Sequence, residues 1–298
     1  METSGKHLGS RLRTLTAANP MVTVADLRVF CTEEGGGNRL GVVFAAKQLR
    51  SVLASECTGM ARSGGYNEVI VAHEGEWEKN KWLKVRIFTP VAELDFAGHP
   101  LVGLAWYYSS TKGLHEVWKI KTPATEVFAW ADRDFGWIRL PPPPIEPGPK
   151  DTFAVLEALR AEALDISPLV PLAKAGYGKP YLIVAFAQPE RVLELEPDLD
   201  ALENLADTRE GVYCFAMRGS QVTARFFAPA LGIPEDPGTG SAAIALAAFL
   251  SRYWRNAPRD FVVHQGHRTP SPCEIFVRRP EHGIEIGGRV VYDGDRQL

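Results

Sequence analysis

Two stretches, LDFAGHPLVGLAW (94–106) and PEDPGTGSAAIALAA (234–248), decide the fold of this chain of 298 residues. Each one follows a strand-like run that ends in proline, VRIFTP (85–90) in the first case and ARFFAP (224–229) in the second. Each then passes through an acidic residue and a glycine turn into an apolar helix. Because strand, proline, acid, glycine and helix recur in the same order, the sequence predicts an internal duplication.

An overlay of the two stretches places Gly98 over Gly238, and His99 then falls on Thr239. The copies lie about half a chain length apart, so each half carries one strand–loop–helix unit. Runs rich in Val, Ile and Phe recur throughout, whereas helical periodicity is sparse, and this pattern predicts an α+β fold with mixed or antiparallel sheets. Helices are predicted at 48–62, 100–112, 152–164 (with Asp151 as N-cap) and about 241–254. Strands are predicted at 22–31, 40–45, 68–73, 82–88, 116–120, 126–130, 136–140, 181–187, 211–217 and 222–228.

A proline-rich segment near the midpoint, RLPPPPIEPGPK (139–150), predicts the boundary between the halves. Proline fixes φ and lacks the N–H group, so an extended, semi-rigid connector is expected there. We therefore predict a disordered leader (1–21), an N-terminal half (22–140), a linker (141–150) and a C-terminal half (151–298). The final strand, near 284–293, is a candidate for pairing back with the N-terminal half.

Composition excludes several classes of protein. The net charge of −3 gives no electrostatic reason to expect nucleic acid as a partner. No apolar run approaches the roughly 20 residues that span a bilayer, and the polar leader is not typical of a secretory signal. The four cysteines form no CxxC pair and the seven histidines no HExxH motif, so we expect free thiols in the cytoplasm and no metal.

The second glycine turn has the composition of an anion site. Gly238 and Gly240 permit close approach of the backbone, and Thr239 or Ser241 is expected to cap the helix. The N–H groups at the start of that helix would attract an anion. A plain capped turn is the simpler interpretation. A dinucleotide site is excluded because no βαβ unit opens there.

Asp236 and His99 add the possibility of catalysis. A carboxylate two residues ahead of the turn is unnecessary for capping, although an Asp-Pro turn is common in proteins. His99 occupies the matching turn of the other half, where a structural role is the usual one for a single histidine. If the halves face each other, both side chains converge on one cleft.

Four segments of the chain resemble the phenazine-biosynthesis isomerase (PhzF-like) family over about residues 24–294. They are FTPVAELDFAGHPLVGLAW, FAPALGIPEDPGTGSAA, VFCTEEGGGNRLGVVF with its Gly-Asn turn, and HQGHRTPSPCEIFV. The resemblance implies a diaminopimelate-epimerase-like fold, with two pseudo-symmetric halves that each curl a sheet around a central helix. It also implies an active site between the halves.

The same resemblance implies the site residues. His99 matches through AGHP, Asp236 and Ser241 match through EDPGTGS, and Glu68 matches through ARSGGYNEVIVA. Without the resemblance, a solvated edge-strand carboxylate would be the simpler interpretation of Glu68. Thiol-dependent relatives of this fold carry a cysteine before each glycine turn, whereas this chain has Ala97 and Pro237 there. A two-thiol racemase is therefore not expected.

These residues favour a cofactor-independent isomerase that moves a proton within a small carboxylate-bearing metabolite. Glu68 would abstract and return the proton, assisted by His99 and Asp236. The substrate carboxylate would be bound by the turn residues Gly98, Gly238, Thr239, Gly240 and Ser241. The alternatives are a non-thiol epimerase or racemase of an amino or imino acid, and a binding protein without turnover. The default oligomer is a homodimer.

Overall fold

Two apolar helices each run through the middle of a curled sheet. The computed structural model describes residues 14–15, 22–45, 53–74, 77, 81–178, 180–254 and 256–298. The strands are β1 Thr14–Leu15, β2 Thr23–Cys31, β3 Asn38–Ala45, β4 Glu68–His73, β5 Trp82–Phe88, β6 Glu93–Leu94, β7 Trp118–Lys121, β8 Glu126–Asp132, β9 Phe135–Leu140, β10 Ile145–Pro147, β11 Ala173–Ala175, β12 Tyr181–Ala185, β13 Val212–Arg218, β14 Gln221–Ala228, β15 Ile233–Asp236, β16 Asp260–Gln265, β17 Cys273–Arg278 and β18 Ile284–Gln297. The α-helices are α1 Ala54–Gly64, α2 Gly98–Lys112, α3 Thr152–Leu159, α4 Pro189–Glu194, α5 Leu199–Asn204 and α6 Gly240–Tyr253. Short 3₁₀ turns lie at Ala163–Asp165, Ala206–Thr208 and Pro229–Leu231.

The N-terminal half is a closed ring of strands around α2. Pairing runs through β2, β3, β4, β5, β7, β8, β9 and β18, and β18 pairs in turn with β2. Apolar residues cover every face of α2, and the helix is buried from Gly98 to Ala105. A helix that is apolar all round has to be enclosed, and this explains why the sheet closes around it.

The C-terminal half curls a second set of strands around α6. From β18 the pairing passes through β17, β16, β14, β13, β12, β11 and β10. Helix α6 is buried continuously from Ala242 to Leu250. The long strand β18 therefore belongs to both sheets, and its backbone pairs with β2 and β9 of the N-terminal half as well as with β17.

The predicted duplication is visible in the topology. In the first half β5 pairs antiparallel with β6, and α2 then connects β5 to the parallel strand β7. In the second half β14 pairs antiparallel with β15, and α6 connects β14 to the parallel strand β16. The prediction of an α+β fold with two pseudo-symmetric halves, each with a central helix, is confirmed.

Individual helix predictions had mixed outcomes. Asp151 caps α3 as predicted, because its carboxylate accepts hydrogen bonds from the N–H groups of Phe153 and Ala154. The predicted end of this helix, residue 164, is wrong, since Arg160 adopts φ 53° and stops the helix at Leu159. A glycine after a helix indicates in the sequence that the backbone can turn left-handed and end the helix, whereas an arginine gives no such indication. The start of the helix predicted over 48–62 lies outside the described residues, and α1 begins at Ala54.

Most of the predicted leader lies outside the described residues. Its Thr14 and Leu15 form β1, which pairs in parallel with Phe44 and Ala45 of β3. Part of the proline-rich segment that was predicted as a linker forms strand β10, which pairs antiparallel with β11. Proline is tolerated at the edge of a sheet because no neighbouring strand there requires its N–H.

All four cysteines are buried free thiols, as the sequence predicted. The part of the chain that the structure describes contains no helix long and apolar enough to cross a membrane.

Candidate active site

The starts of the two central helices touch each other. A Cβ atom added to Gly98 would lie 2.6 Å from the carbonyl carbon of Gly240 and 2.7 Å from the backbone nitrogen of Ser241. A Cβ atom added to Gly240 would lie 3.1 Å from the backbone nitrogen of His99. The two helices begin at Gly98 and Gly240, so the helix starts differ by two residues from the overlay of Gly98 on Gly238. Two glycines at this point allow the N-termini of both helices to meet at one place.

We expect Gly98→Ala to destabilise the protein by roughly 1–3 kcal/mol, because the new methyl group meets backbone atoms that cannot rotate away. Gly59→Ala is the matched control, since Gly59 is also helical and a Cβ there meets nothing within 4 Å. That control should stabilise the protein by roughly 0.5–1 kcal/mol. Urea unfolding of the two variants measures both effects, and equal stability of the two would contradict the close contact.

Glu68 and His99 form a buried pair inside the N-terminal half. Glu68 is the first residue of β4, and His99 follows the first residue of α2. Their side chains are 13% and 5% exposed, and Glu68 Oε2 lies 3.0 Å from His99 Nε2. The contact is not aligned as a hydrogen bond, and neither atom has a hydrogen-bond partner among the described residues. The interpretation of Glu68 as a solvated edge-strand carboxylate does not fit this burial.

Burial moves the pKa values of this pair in opposite directions. Loss of solvent raises the pKa of Glu68 well above its ordinary value, and the nearby charge of Asp236 raises it further. Loss of solvent lowers the pKa of His99 to about 3, although a backbone hydrogen bond to Arg39 opposes this change. At neutral pH the imidazole is therefore uncharged, while the carboxyl of Glu68 binds a proton far more readily than a carboxyl in water.

Asp236 reaches the same place from the C-terminal half, at the end of β15. Its Oδ2 accepts a hydrogen bond of 2.6 Å from the hydroxyl of Thr239, and its Oδ1 accepts one of 3.2 Å from the side chain of Asn38. Burial raises the pKa of Asp236, whereas these two hydrogen bonds oppose the rise. Hydrogen bonds thus favour the charged form of Asp236, although burial still leaves its pKa above the ordinary value.

Asn38 belongs to this site, and the residue-level reasoning missed it. This side chain at the start of β3 is 1% exposed. Its Nδ2 donates to Asp236 Oδ1 and to the carbonyl of Gly238 (3.1 Å), and lies 3.5 Å from His99 Nδ1. It therefore connects the catalytic candidates of the two halves. In the sequence, the feature that could have indicated Asn38 is its position directly after a run of three glycines.

The expected capping role of the turn hydroxyls is wrong. Thr239 occupies the N-cap position of α6, but its side chain makes no capping bond because its hydroxyl donates to Asp236. The hydroxyl of Ser241 pairs instead with that of Tyr181, with the oxygens 2.9 Å apart. Gly238 packs against Cys273, whose Sγ would lie 2.6 Å from an added Cβ. The Ser241–Tyr181 pair therefore lies at the helix start without capping it.

Across the described residues, no group of three or more His, Cys, Asp or Glu side chains is placed to hold a metal ion. What the site does contain is two carboxyl groups in different environments, one neutral imidazole, and two helix N-termini. Groups of these kinds are chemically able to transfer protons by general acid–base catalysis.

The chain belongs to the phenazine biosynthesis-like protein family, whose model matches residues 27–294. An uncharacterized isomerase from Deinococcus radiodurans is 30% identical over 295 residues, which cover 90% of this chain and 92% of that protein. Trans-2,3-dihydro-3-hydroxyanthranilate isomerase from Pseudomonas fluorescens is 34% identical over 204 residues, covering 68% of this chain and 66% of that enzyme. A crystal structure of a Bacillus anthracis phenazine biosynthesis protein of the PhzF family has the same fold, with a TM-score of 0.76, 19% identity and coverage of 94% and 99%. The chain is an enzyme of the isomerase class.

Proposed function

We propose that this enzyme moves a proton between carbon atoms of a small carboxylate-bearing metabolite, with Glu68 as the group that takes and returns the proton. The observation that carries the proposal is the buried contact of 3.0 Å between Glu68 Oε2 and His99 Nε2. A carboxyl whose pKa is raised towards neutral pH can both accept a proton from carbon and release it again. His99, as a neutral imidazole, can relay that proton or protonate a second position of the substrate.

Asp236 has a different role in this proposal. Its two oxygens accept hydrogen bonds that favour its ionised form against the effect of burial, and in that form its charge keeps the proton affinity of Glu68 high. This electrostatic effect of Asp236 on Glu68 requires no conformational change. The pair therefore divides into one charge-bearing group and one proton carrier.

The substrate carboxylate would be held at the start of α6. The first N–H groups of a helix lack partners within it, and the macrodipole favours an anion there. The hydroxyls of Ser241 and Tyr181 are bonded to each other, and the pair adds one further O–H donor at this point. The enolate-like charge that develops during proton abstraction would be stabilised by the same groups.

We expect Ser241→Ala to raise the KM for the substrate roughly tenfold, because a hydrogen bond to a charged group contributes about 1.5–3 kcal/mol. The effect on kcat should be smaller, since the lost contact is made in the ground state as well. Thr111→Ala is the control, because its hydroxyl only bonds to carbonyls within α2. Steady-state kinetics of both variants makes the comparison, and an unchanged KM in Ser241→Ala would move the carboxylate elsewhere.

The test of the function itself is proton exchange. The protein is incubated in D₂O with small cyclic and open-chain carboxylates, among them trans-2,3-dihydro-3-hydroxyanthranilate, the compound in the name of the relative from Pseudomonas fluorescens. Incorporation of deuterium at carbon, followed by NMR, is the expected result. Thermal stabilisation by a compound without any exchange would instead favour the binding protein. Exchange with inversion at a single carbon would favour the epimerase.

We further propose that the enzyme works without a cofactor, as a homodimer, in the cytoplasm. The acid–base groups are sufficient for the chemistry, a twofold dimer is the commonest oligomer, and four buried free thiols suit a reducing compartment. Exhaustive dialysis against chelator followed by the exchange assay tests the first point, and sedimentation velocity tests the second.

A further inference from the structure

The side chain of Gln265 has an orientation that its neighbours dictate. This glutamine ends β16 and is fully buried. Its Oε1 accepts a hydrogen bond of 3.3 Å from the backbone N–H of Thr239, and its Nε2 donates one of 2.7 Å to the backbone carbonyl of Asp236. A backbone N–H can only donate and a carbonyl can only accept. The amide is therefore fixed with its NH₂ group towards Asp236.

This orientation also determines the direction of the next hydrogen bond. The second hydrogen of Gln265 Nε2 goes to the hydroxyl oxygen of Thr239, 2.9 Å away. That hydroxyl has a single hydrogen, which is then directed at Asp236 Oδ2, 2.6 Å away. Because Gln265 Nε2 cannot accept the hydrogen of this hydroxyl, Thr239 accepts from Gln265 and donates to Asp236.

The other oxygen of Asp236 is constrained in the same way. Asn38 Nδ2 donates to the carbonyl of Gly238, which fixes the orientation of that amide, and it also donates to Asp236 Oδ1. Both oxygens of Asp236 therefore receive a hydrogen from a neighbour. These two hydrogen bonds favour the ionised form of Asp236 and oppose the effect of its burial.

We propose that Gln265 is a positioning residue that acts through the Thr239 hydroxyl to hold Asp236 in its ionised form, so that the negative charge of Asp236 keeps the proton affinity of Glu68 high. This inference rests on the proposed function, in which Glu68 carries the proton. Gln265 itself does not contact the carboxylate of Asp236. It acts on that carboxylate through the Thr239 hydroxyl, and it also bonds to the main chain of Asp236 and Thr239.

The other titratable groups around Asp236 do not replace this control. They are Glu68 on β4, Tyr181 on β12, Tyr213 on β13, Glu235 on β15 and Cys273 on β17, with His99 of α2 on the far side of Asn38. Glu235 is paired with Arg225 at 2.7 Å, so its charge is compensated locally. Burial raises the pKa values of the tyrosines and of the cysteine, so these groups stay neutral. Glu68 is the group on which the charge of Asp236 acts.

The direct test measures the titration of Asp236 without any substrate. Protein labelled with ¹³C at the aspartate carboxyl carbons is titrated by NMR, and Asp236→Asn identifies the resonance. In Gln265→Leu and in Thr239→Val the pKa of Asp236 should rise by about one to two units, the value of one hydrogen bond to a charged group. Thr239→Ser, which keeps the hydroxyl, and Gln221→Leu, which removes a glutamine whose exposed side chain bonds to His264, should match the wild type in this titration. An unchanged titration in Thr239→Val overturns the inference even if Gln265→Leu fails to fold.

The exchange assay adds a second, separable result. In wild type the exchange rate should fall at low pH, where Glu68 becomes protonated. In Gln265→Leu and Thr239→Val this fall should occur at lower pH, because Asp236 then carries less negative charge and Glu68 ionises more easily. Wild-type protein that exchanges no compound, but shows the expected NMR titrations, would refute the proposed function and leave the hydrogen-bond chain standing. Exchange with unaltered titrations and an unaltered fall at low pH would overturn the role of Gln265 alone.

Discussion

Glu68→Gln should reduce substrate-dependent deuterium incorporation by roughly a thousandfold, within the range of 10²–10⁴ that one general acid–base group contributes. The substitution keeps the shape of the side chain and its buried place beside His99, but glutamine cannot take up a proton from carbon. Since the side chain is only 13% exposed, solvent has poor access to replace it. Exchange is measured by NMR at saturating substrate, so that weaker binding does not imitate slower chemistry.

The same variant should be more stable than the wild type at alkaline pH. The unfolded chain ionises Glu68 at its ordinary pKa, whereas the folded protein holds the proton to higher pH. Burial of this carboxyl therefore costs stability progressively as the pH rises from the unfolded to the folded pKa, by up to about 1.4 kcal/mol per pH unit. Glutamine has no such cost. Chemical unfolding at pH 5 and pH 8 should show a difference between variant and wild type that grows with pH.

Glu93→Gln is the matched control for both measurements. Glu93 forms an ion pair with Arg86 (2.7 Å) in the same half of the protein, where its side chain is 34% exposed. Its replacement should leave exchange intact and should not reproduce the gain in stability at pH 8. Full exchange in Glu68→Gln would remove Glu68 from the mechanism, and a gain in stability without loss of exchange would leave it as a buried structural carboxyl.

The sequence alone was sufficient to predict the internal duplication and the two central helices that follow from it. The proline that ends each strand and the glycine turn before each apolar helix are local features, and they recur at a distance of half the chain. From them follow the central helices and, if the halves face each other, the convergence of His99 with Asp236. The resemblance supplied Glu68, which residue chemistry alone would have left on the surface.

The sequence was not sufficient for the hydrogen bonds that define the site. Capping preference assigns the Thr239 hydroxyl to its own helix, but Gln265 lies 26 positions further along the chain and directs that hydroxyl to Asp236. Asn38 and Tyr181 join the site because β3 and β12 place them there, and neither spacing nor composition indicates those neighbours. Preferences of single residues describe local conformation, whereas these partners are determined by the tertiary fold.

His99 should make the protein sensitive to acid, and His99→Gln should remove most of that sensitivity. The unfolded chain protonates this imidazole near pH 6.5, whereas burial lowers its pKa in the folded protein to about 3. The stabilisation by the neutral imidazole is therefore complete above pH 6.5 and is lost as the pH falls from 6.5 towards 3. Over that whole interval the change amounts to about 5 kcal/mol, from about 1.4 kcal/mol per pH unit.

Two neighbouring groups act in the opposite sense, so the comparison has to be made between variants. The raised pKa values of Glu68 and Asp236 mean that the folded protein gains stability as these carboxyls become protonated in acid. Subtracting the unfolding free energy of His99→Gln from that of the wild type at each pH leaves the contribution of His99, including its coupling to the adjacent Glu68. The difference should decrease by about 3 kcal/mol between pH 6.5 and pH 4.5.

His115→Gln provides the control, because His115 lies exposed between α2 and β7 and its replacement should leave the pH dependence of stability unchanged. A difference between wild type and His99→Gln that instead increases as the pH falls would mean that the folded protein binds a proton on His99 more tightly than the unfolded chain does. The contact of His99 with Glu68 Oε2 would then be an ion pair, and Glu68 would be ionised before substrate binds. The pH dependence of stability in acid therefore shows whether His99 or Glu68 binds the shared proton in the enzyme without substrate.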